Sequence, residues 1–174
     1  MTRRSFLGLL GCGGCAAALL AFGLLRKRGR KGFDFGDNTL VAYLADGTEW
    51  TSRERGVKPL VDAIDGMRER FAGARCYDRV VGRAAAFLYA KLGVSYVFAP
   101  VMAKGAVAIL KRHGIEPSFD LEVPGIRNRA NDGPCPMEHA VREIADTDVD
   151  AAVAAIRAQM ERFRQSTMTG QNLV

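Results

Sequence analysis

The sequence predicts an α/β fold, and three stretches carry that prediction. From Cys76 to Lys91 polar residues gather at the start and a nearly continuous apolar body follows, as in a helix buried along most of its length that presents one end to a site. Val94-Ser95-Tyr96-Val97-Phe98-Ala99 comes next, a β-rich apolar run bounded by Gly93 and Pro100. Ile115 to Val123 alternates apolar and polar with period two, a strand with one wet face that Pro117 places at or near an edge. Helix running into buried strand is the pattern found in the middle of an α/β sheet.

Ahead of these, Thr39 to Leu44 is a strand. Asp46-Gly47 signals a two-residue hairpin, and Thr48 to Thr51 returns. Arg53 to Val57 is a loop. Lys58-Pro59-Leu60 opens a helix with proline tolerated in its first turn, and Leu60, Val61, Ile64 and Met67 share one face. Met102 to His113 is a further helix, with Lys111-Arg112-His113 in its last turn and Gly114 just past it. His113 reads as a cation facing the helix dipole. Ile126 to Gly133 is polar and irregular, and a helix begins at Pro134-Cys135-Pro136. The last helix runs from about Asp148 to Arg164, with Thr147 or Asp146 as its cap. The organisation is a leader at 1–31, a linker at 32–38, a domain at 39–165 and a disordered tail at 166–174.

The net charge of +6 belongs to the leader. Arg3, Arg4, Arg26, Lys27, Arg28, Arg30 and Lys31 all precede the first acid, Asp34, leaving 18 basic residues against 19 acidic in the remainder. A neutral domain carries no nucleic-acid footprint. Thr2-Arg3-Arg4-Ser5-Phe6-Leu7-Gly8 resembles the twin-arginine export signal: a polar residue, two arginines, any residue, then Phe-Leu. The apolar stretch from Phe6 to Leu25 follows, at about 20 residues long enough to span a bilayer if uncleaved. Arg26 to Lys31 favours a cytoplasmic side by the positive-inside rule, against the export signal. Export by the twin-arginine route is the expectation, with residues 1–31 either a signal segment or a retained membrane anchor, and a cytoplasmic-facing anchor is the alternative.

Of four cysteines, Cys12 and Cys15 have C-x-x-C spacing but lie in the hydrophobic leader without a second ligand pair. Cys76 and Cys135 remain for the domain, too few for a disulfide framework.

The order of hairpin, helix, helix, strand, helix, strand, helix resembles the cytidine-deaminase-like fold. Gly56-Val57-Lys58-Pro59-Leu60, Asp78 to Ala86, Asn128-Arg129 and Cys135-Pro136-Met137-Glu138 resemble, in that order, the signature segments of the bacterial domain of unknown function family 1893. The resemblance covers roughly Thr39 to Ile144 and implies a three-layer αβα fold with a mixed sheet and no established activity. A zinc deaminase needs ligand-x-acid at one helix start and P-C-x-x-C at the next. Cys76-Tyr77-Asp78 keeps the first in outline, but Pro100-Val101-Met102-Ala103-Lys104 has Val101 and Lys104 where both cysteines belong. The expectation is a domain without zinc and without a cofactor.

What remains is a cleft between helix starts, whose free N–H groups and partial positive charge suit an anion. Asp78 and Arg79 open one helix in this reading and Lys104 another, with Lys58, Asn128, Arg129, Cys135 and Glu138 completing the ligand-binding set. The expected ligand is a nucleotide or another phosphate-bearing small molecule. Cys135, at a helix start with His139 four residues on, is the alternative: a nucleophile in a metal-independent enzyme with Asp78 as acid/base. Glu138 can reach back to cap the same helix. A third reading is a protein-interaction domain presented at the membrane.

Overall fold

The computed structural model describes residues 32–168. The leader at 1–31, with its twin-arginine motif, Cys12 and Cys15, and residues 169–174 of the tail lie outside the described residues. Among those described, no helix is long and apolar enough to cross a membrane.

The fold is α/β with a mixed sheet. β1 (Leu40–Tyr43) and β2 (Glu49–Ser52) form an antiparallel hairpin. Its loop has three residues, not two: Gly47 N donates to Leu44 O, Leu44 N donates to Thr48 O, and only Gly47 takes a positive φ, of 83°. Asp46 stays right-handed and accepts from Thr48 N instead, so the turn is type I closed by a left-handed glycine. α1 (Lys58–Gly66) follows, with Pro59 in its first turn, then the short α2 (Arg68–Phe71).

The next segment departs from the sequence reading. Arg75–Asp78 is not the start of a helix but a strand, β3, antiparallel to β1. β4 (Val80–Val81) follows at once, and α3 begins only at Arg83 and runs to Leu92. β3 and β4 pair with β5 (Tyr96–Ala103) in one register, Cys76 opposite Val97 and Val80 opposite Val101. They are therefore one strand broken at Arg79. α4 (Lys104–Arg112) crosses over to β6 (Glu116–Val123), which lies parallel to β5 on its other side. α5 (Pro136–Val141) and α6 (Val149–Met168) complete the chain. Asp148, rather than Thr147 or Asp146, caps α6 by accepting from Ala151 N at 3.1 Å. α6 also runs past Arg164 into the first residues of the expected tail.

α3 is the centre of the helical layer and packs against α1, α4, α5 and α6. Ala84 to Tyr89 and Leu92 are buried. Phe87, Leu88 and Leu92 alone each contribute about 1.5–3 kcal/mol by leaving water. Gly93, at φ 71°, ends the helix in the left-handed cap that glycine adopts without strain.

Strand alternation divides the sheet into two faces. Leu40, Ala42, Cys76, Val97 and Ala99 join the helices in one core. Val41, Tyr77, Tyr96 and Phe98 form a second, aromatic cluster on the opposite face. Among the described residues no helix enters that cluster, so two of the three expected layers are seen. Phe35 and Phe33 cover it instead, with the Phe33 ring stacked on Tyr77 at 4.1 Å between centroids. Residues 32–38 are thus packed chain and not a free linker. Arg79 secures them further, donating from Nε to Asn38 O at 2.8 Å and from Nη2 to Gly36 O at 2.6 Å.

Candidate functional site

A cleft of about 830 Å³ opens at the carboxyl end of β3. One wall is the start of α1, from Gly56 to Pro59, and the floor is the broken strand with Asp78, Arg79 and Val80. The start of α5 and the loop from Ile126 to Ala130 face them, and Met160, Phe163, Ser166 and Thr167 of α6 close the far side. The lining is largely apolar, as in most small-molecule sites.

Seven of the eight residues expected here from sequence line this cleft: Lys58, Asp78, Arg79, Asn128, Arg129, Cys135 and Glu138. Lys104 does not. It is exposed at the start of α4, and that start is not part of the lining. The picture of converging helix starts fails for a second reason, since Asp78 and Arg79 sit at a strand end and open no helix.

Asp78 is partly buried. Its Oδ2 accepts from Tyr89 Oη at 2.8 Å, a contact possible because Tyr89 lies two turns into α3 and faces back to the sheet. Oδ1 accepts from Val80 N at 3.3 Å. Burial pushes the carboxyl up to about 6, although these bonds pull the other way. The Cys76 thiol beneath it is fully buried, and burial together with the Asp78 charge pushes its pKa up, the opposite of what a nucleophile or metal ligand needs. Among the described residues no three His, Cys, Asp or Glu side chains stand together as a metal site.

Glu138 does not cap its own helix. Its carboxylate accepts the backbone N–H groups of Arg83, Ala84 and Ile126 and so closes the start of α3. Burial raises its pKa despite these donors. Gly82 leaves the space for it: a Cβ there would overlap Glu138 Oε1 and stand 2.8 Å from Cδ. The N–H groups expected to receive a ligand anion are therefore already taken by a side chain.

Asn128 organises its loop. Its Oδ1 accepts from Asp132 N at 3.2 Å, and its backbone N donates to Gly133 O at 2.9 Å. With Arg127 bridging Pro134 and Cys135 N donating to Ile126 O, the segment is a narrow lip that carries Arg129 outward. Cys135 is partly buried at the base of that lip and unpaired with Cys76. His139 is exposed and does not line the cleft. Lys58 pairs with Asp62 at 2.9 Å. Arg55 and Arg129, by contrast, have no hydrogen bond or ion pair among the described residues. Arg55 escaped the sequence reading because its loop has no periodicity; the alternation Arg53-Glu54-Arg55 after a strand, two bases on one side of an extended segment, was the available signal.

His113 caps α4, with Nε2 donating to Asp146 O at 2.8 Å. Arg83, at the start of α3, binds Asp146 Oδ1 at 2.8 Å and Ile144 O at 2.9 Å, a structural clasp outside the cleft.

The family model described as Domain of unknown function (DUF1893) matches residues 29–160. Among solved structures, a DUF1893 family protein from Thermotoga maritima aligns with a TM-score of 0.61 and 23% identity, covering 92% of this chain and 97% of that one. The likeness is one of fold. No curated protein matches the chain in sequence.

Proposed function

The chain belongs to the DUF1893 family, and from that premise we propose that its domain binds a small, phosphate-bearing ligand of nucleotide type in the cleft at the end of β3. One observation carries the reading. The four segments through which the sequence resembles the family, around Lys58, Asp78, Asn128 and Cys135, are far apart in the chain and line a single cleft. The apolar lining suits a base or another flat body, Asp78 offers an acceptor at the floor, and the unpartnered Arg55 suits an anion at the rim.

The finer fold assignment belongs to the same proposal. A leading hairpin followed by parallel strands β3, β5 and β6 supports the cytidine-deaminase-like arrangement, without its zinc ligands. The leader motif Arg3-Arg4-Ser5-Phe6-Leu7 supports export by the twin-arginine route with residues 1–31 as anchor; replacing both arginines by lysine in a reporter fusion would abolish export.

A thermal-shift series with nucleoside mono- and diphosphates, ADP-ribose and NAD tests the ligand class. A ligand present at a hundredfold excess over its Kd stabilises by about 2.7 kcal/mol, which raises Tm measurably. No shift with any of them at millimolar concentration would sink the proposal. A second reading, with Cys135 as nucleophile, draws on its partly exposed position in the same lining.

A further inference from the structure

Beside the cleft lies a second hollow of about 470 Å³, lined by Asp37, Thr39, Arg53, Arg55 and Arg79. Thr39, Arg55 and Arg79 line both, so the two spaces adjoin. Their chemistries differ. The larger one is walled by Leu40, Val57, Ile126, Met137, Met160 and Phe163, while three arginines and a single acid line the smaller.

The arginines are not equally committed. Arg79 spends Nε and Nη2 on the carbonyls of Asn38 and Gly36. Arg53 meets Asp37 at 3.5 Å, a pair so exposed that water screens most of its energy. Arg55 has no partner among the described residues. Thr39 Oγ1 donates inward, to Ser52 O at 3.1 Å and to Glu54 O. The annex therefore has an excess of positive charge with unspent N–H donors in the fork geometry that matches phosphate oxygens. The competing position, the start of α3, is filled by Glu138.

We infer that this annex is the anion subsite of the cleft, with Arg55 as principal contact and Arg53 as the second, and that the body of the ligand runs from there into the apolar cleft towards Asp78. The inference rests on the nucleotide-type reading and adds to it a direction: phosphate at the hairpin end, base or equivalent group over the floor. Arg79 is the fixed wall between the two spaces.

The test is calorimetric titration of the full-length chain with the four ribonucleoside monophosphates and their parent nucleosides. Three forms are compared: wild type, the double variant Arg53→Ala with Arg55→Ala, and Arg129→Ala. Arg53 and Arg55 are both exposed, so the double variant should keep the wild-type Tm. Should it not, Arg55→Gln alone serves. Loss of charge-assisted phosphate contacts is expected to weaken the monophosphate by about tenfold or more, to leave the parent nucleoside unchanged and to flatten the salt dependence. Arg129→Ala is expected to change affinity less than threefold, roughly the scale of an exposed contact. If the double variant binds the monophosphate as wild type does, or loses nucleoside and monophosphate alike, or if Arg129→Ala shows the phosphate-specific loss, the annex is not the anion subsite, though the cleft reading survives. If wild type binds neither form of any nucleoside, the cleft reading fails and the inference with it.

Discussion

Glu138 and Gly82 form a matched pair across 56 positions of sequence: the carboxylate of one closes the start of α3 in the space the other leaves by having no side chain. Gly82 is extended (φ −102°, ψ −178°), so its backbone is open to any residue and its smallness serves the approach alone. A methyl group at position 82 cannot coexist with the carboxylate where it stands. Gly82→Ala should cost about 1–3 kcal/mol by overpacking. Glu138→Ala should lose the cap, and the double variant should be less destabilised than the sum of the two single changes. Urea unfolding of the four proteins measures this, and strict additivity would show that the two residues do not meet.

Asp78 gives the fold a pH dependence with a definite sign. Its pKa is raised from 3.8 to about 6 on folding, so the folded state holds the proton more tightly. The associated stability is fully present below about pH 3.8 and is lost as pH rises through about 6. Asp78→Asn cannot ionise. Relative to wild type it should gain stability across this window, up to a bound of roughly 3 kcal/mol above pH 7. Melting curves from pH 4 to 8 test this, and parallel profiles for the two proteins would contradict it.

Tyr89→Phe removes the hydroxyl that donates to Asp78 Oδ2. With one favourable bond gone, the carboxyl should titrate higher still, moving the inflection of the stability profile above 6. The cost at neutral pH should be about 1–3 kcal/mol, since the variant leaves a shielded acceptor without its donor. An unmoved inflection would mean that the hydroxyl does not reach Asp78.

The two cysteines of the domain should differ sharply towards iodoacetamide. Cys135 is partly exposed in the cleft and should be alkylated in the folded protein. Cys76 is fully buried with its thiol pKa pushed up, and should react only after denaturation. Peptide mapping by mass spectrometry separates them from Cys12 and Cys15. Equal labelling of Cys76 and Cys135 under native conditions would contradict the placement of β3.

Gly105 holds Arg83 against α4. A Cβ at position 105 would stand 2.8 Å from Arg83 Cγ and 2.9 Å from Cδ. Gly105→Ala should therefore displace the arginine stem and break its bonds to Asp146 and Ile144, at a cost of about 1–3 kcal/mol. In an Arg83→Ala background the same substitution should be nearly neutral, as read by thermal unfolding.

Much of this arrangement is legible in the sequence wherever one local pattern decides. Period two marks β6 as a strand, although as an edge strand it leaves Phe119 and Leu121 of its apolar face exposed rather than buried; Pro59 marks the start of α1, and Gly93 and Gly114 mark helix ends. β3 is not legible. It is four residues long, in a central position where both faces are buried, so it has no alternation to show. It runs through Arg79 into β4 and then into an apolar helix, with Gly82 as the sole punctuation. One helix from Cys76 to Lys91 would put Asp78 at a helix start, whereas it lines the cleft from the end of a strand. The site is legible where a segment brings its own chemistry, as Asn128-Arg129 and Cys135-Pro136 do. It is not where a partner comes from elsewhere in the chain. No spacing rule links Glu138 to Arg83, and none shows that the start of α4, with Lys104, stands away from the cleft.

The stacking of Phe33 on Tyr77, together with the grip of Arg79 on Gly36 and Asn38, makes the stretch before β1 part of the folded body. The roof of the aromatic face is thus a strip of chain that is neither helix nor strand, and a boundary drawn at Thr39 would bare Tyr77 and Phe98 to water.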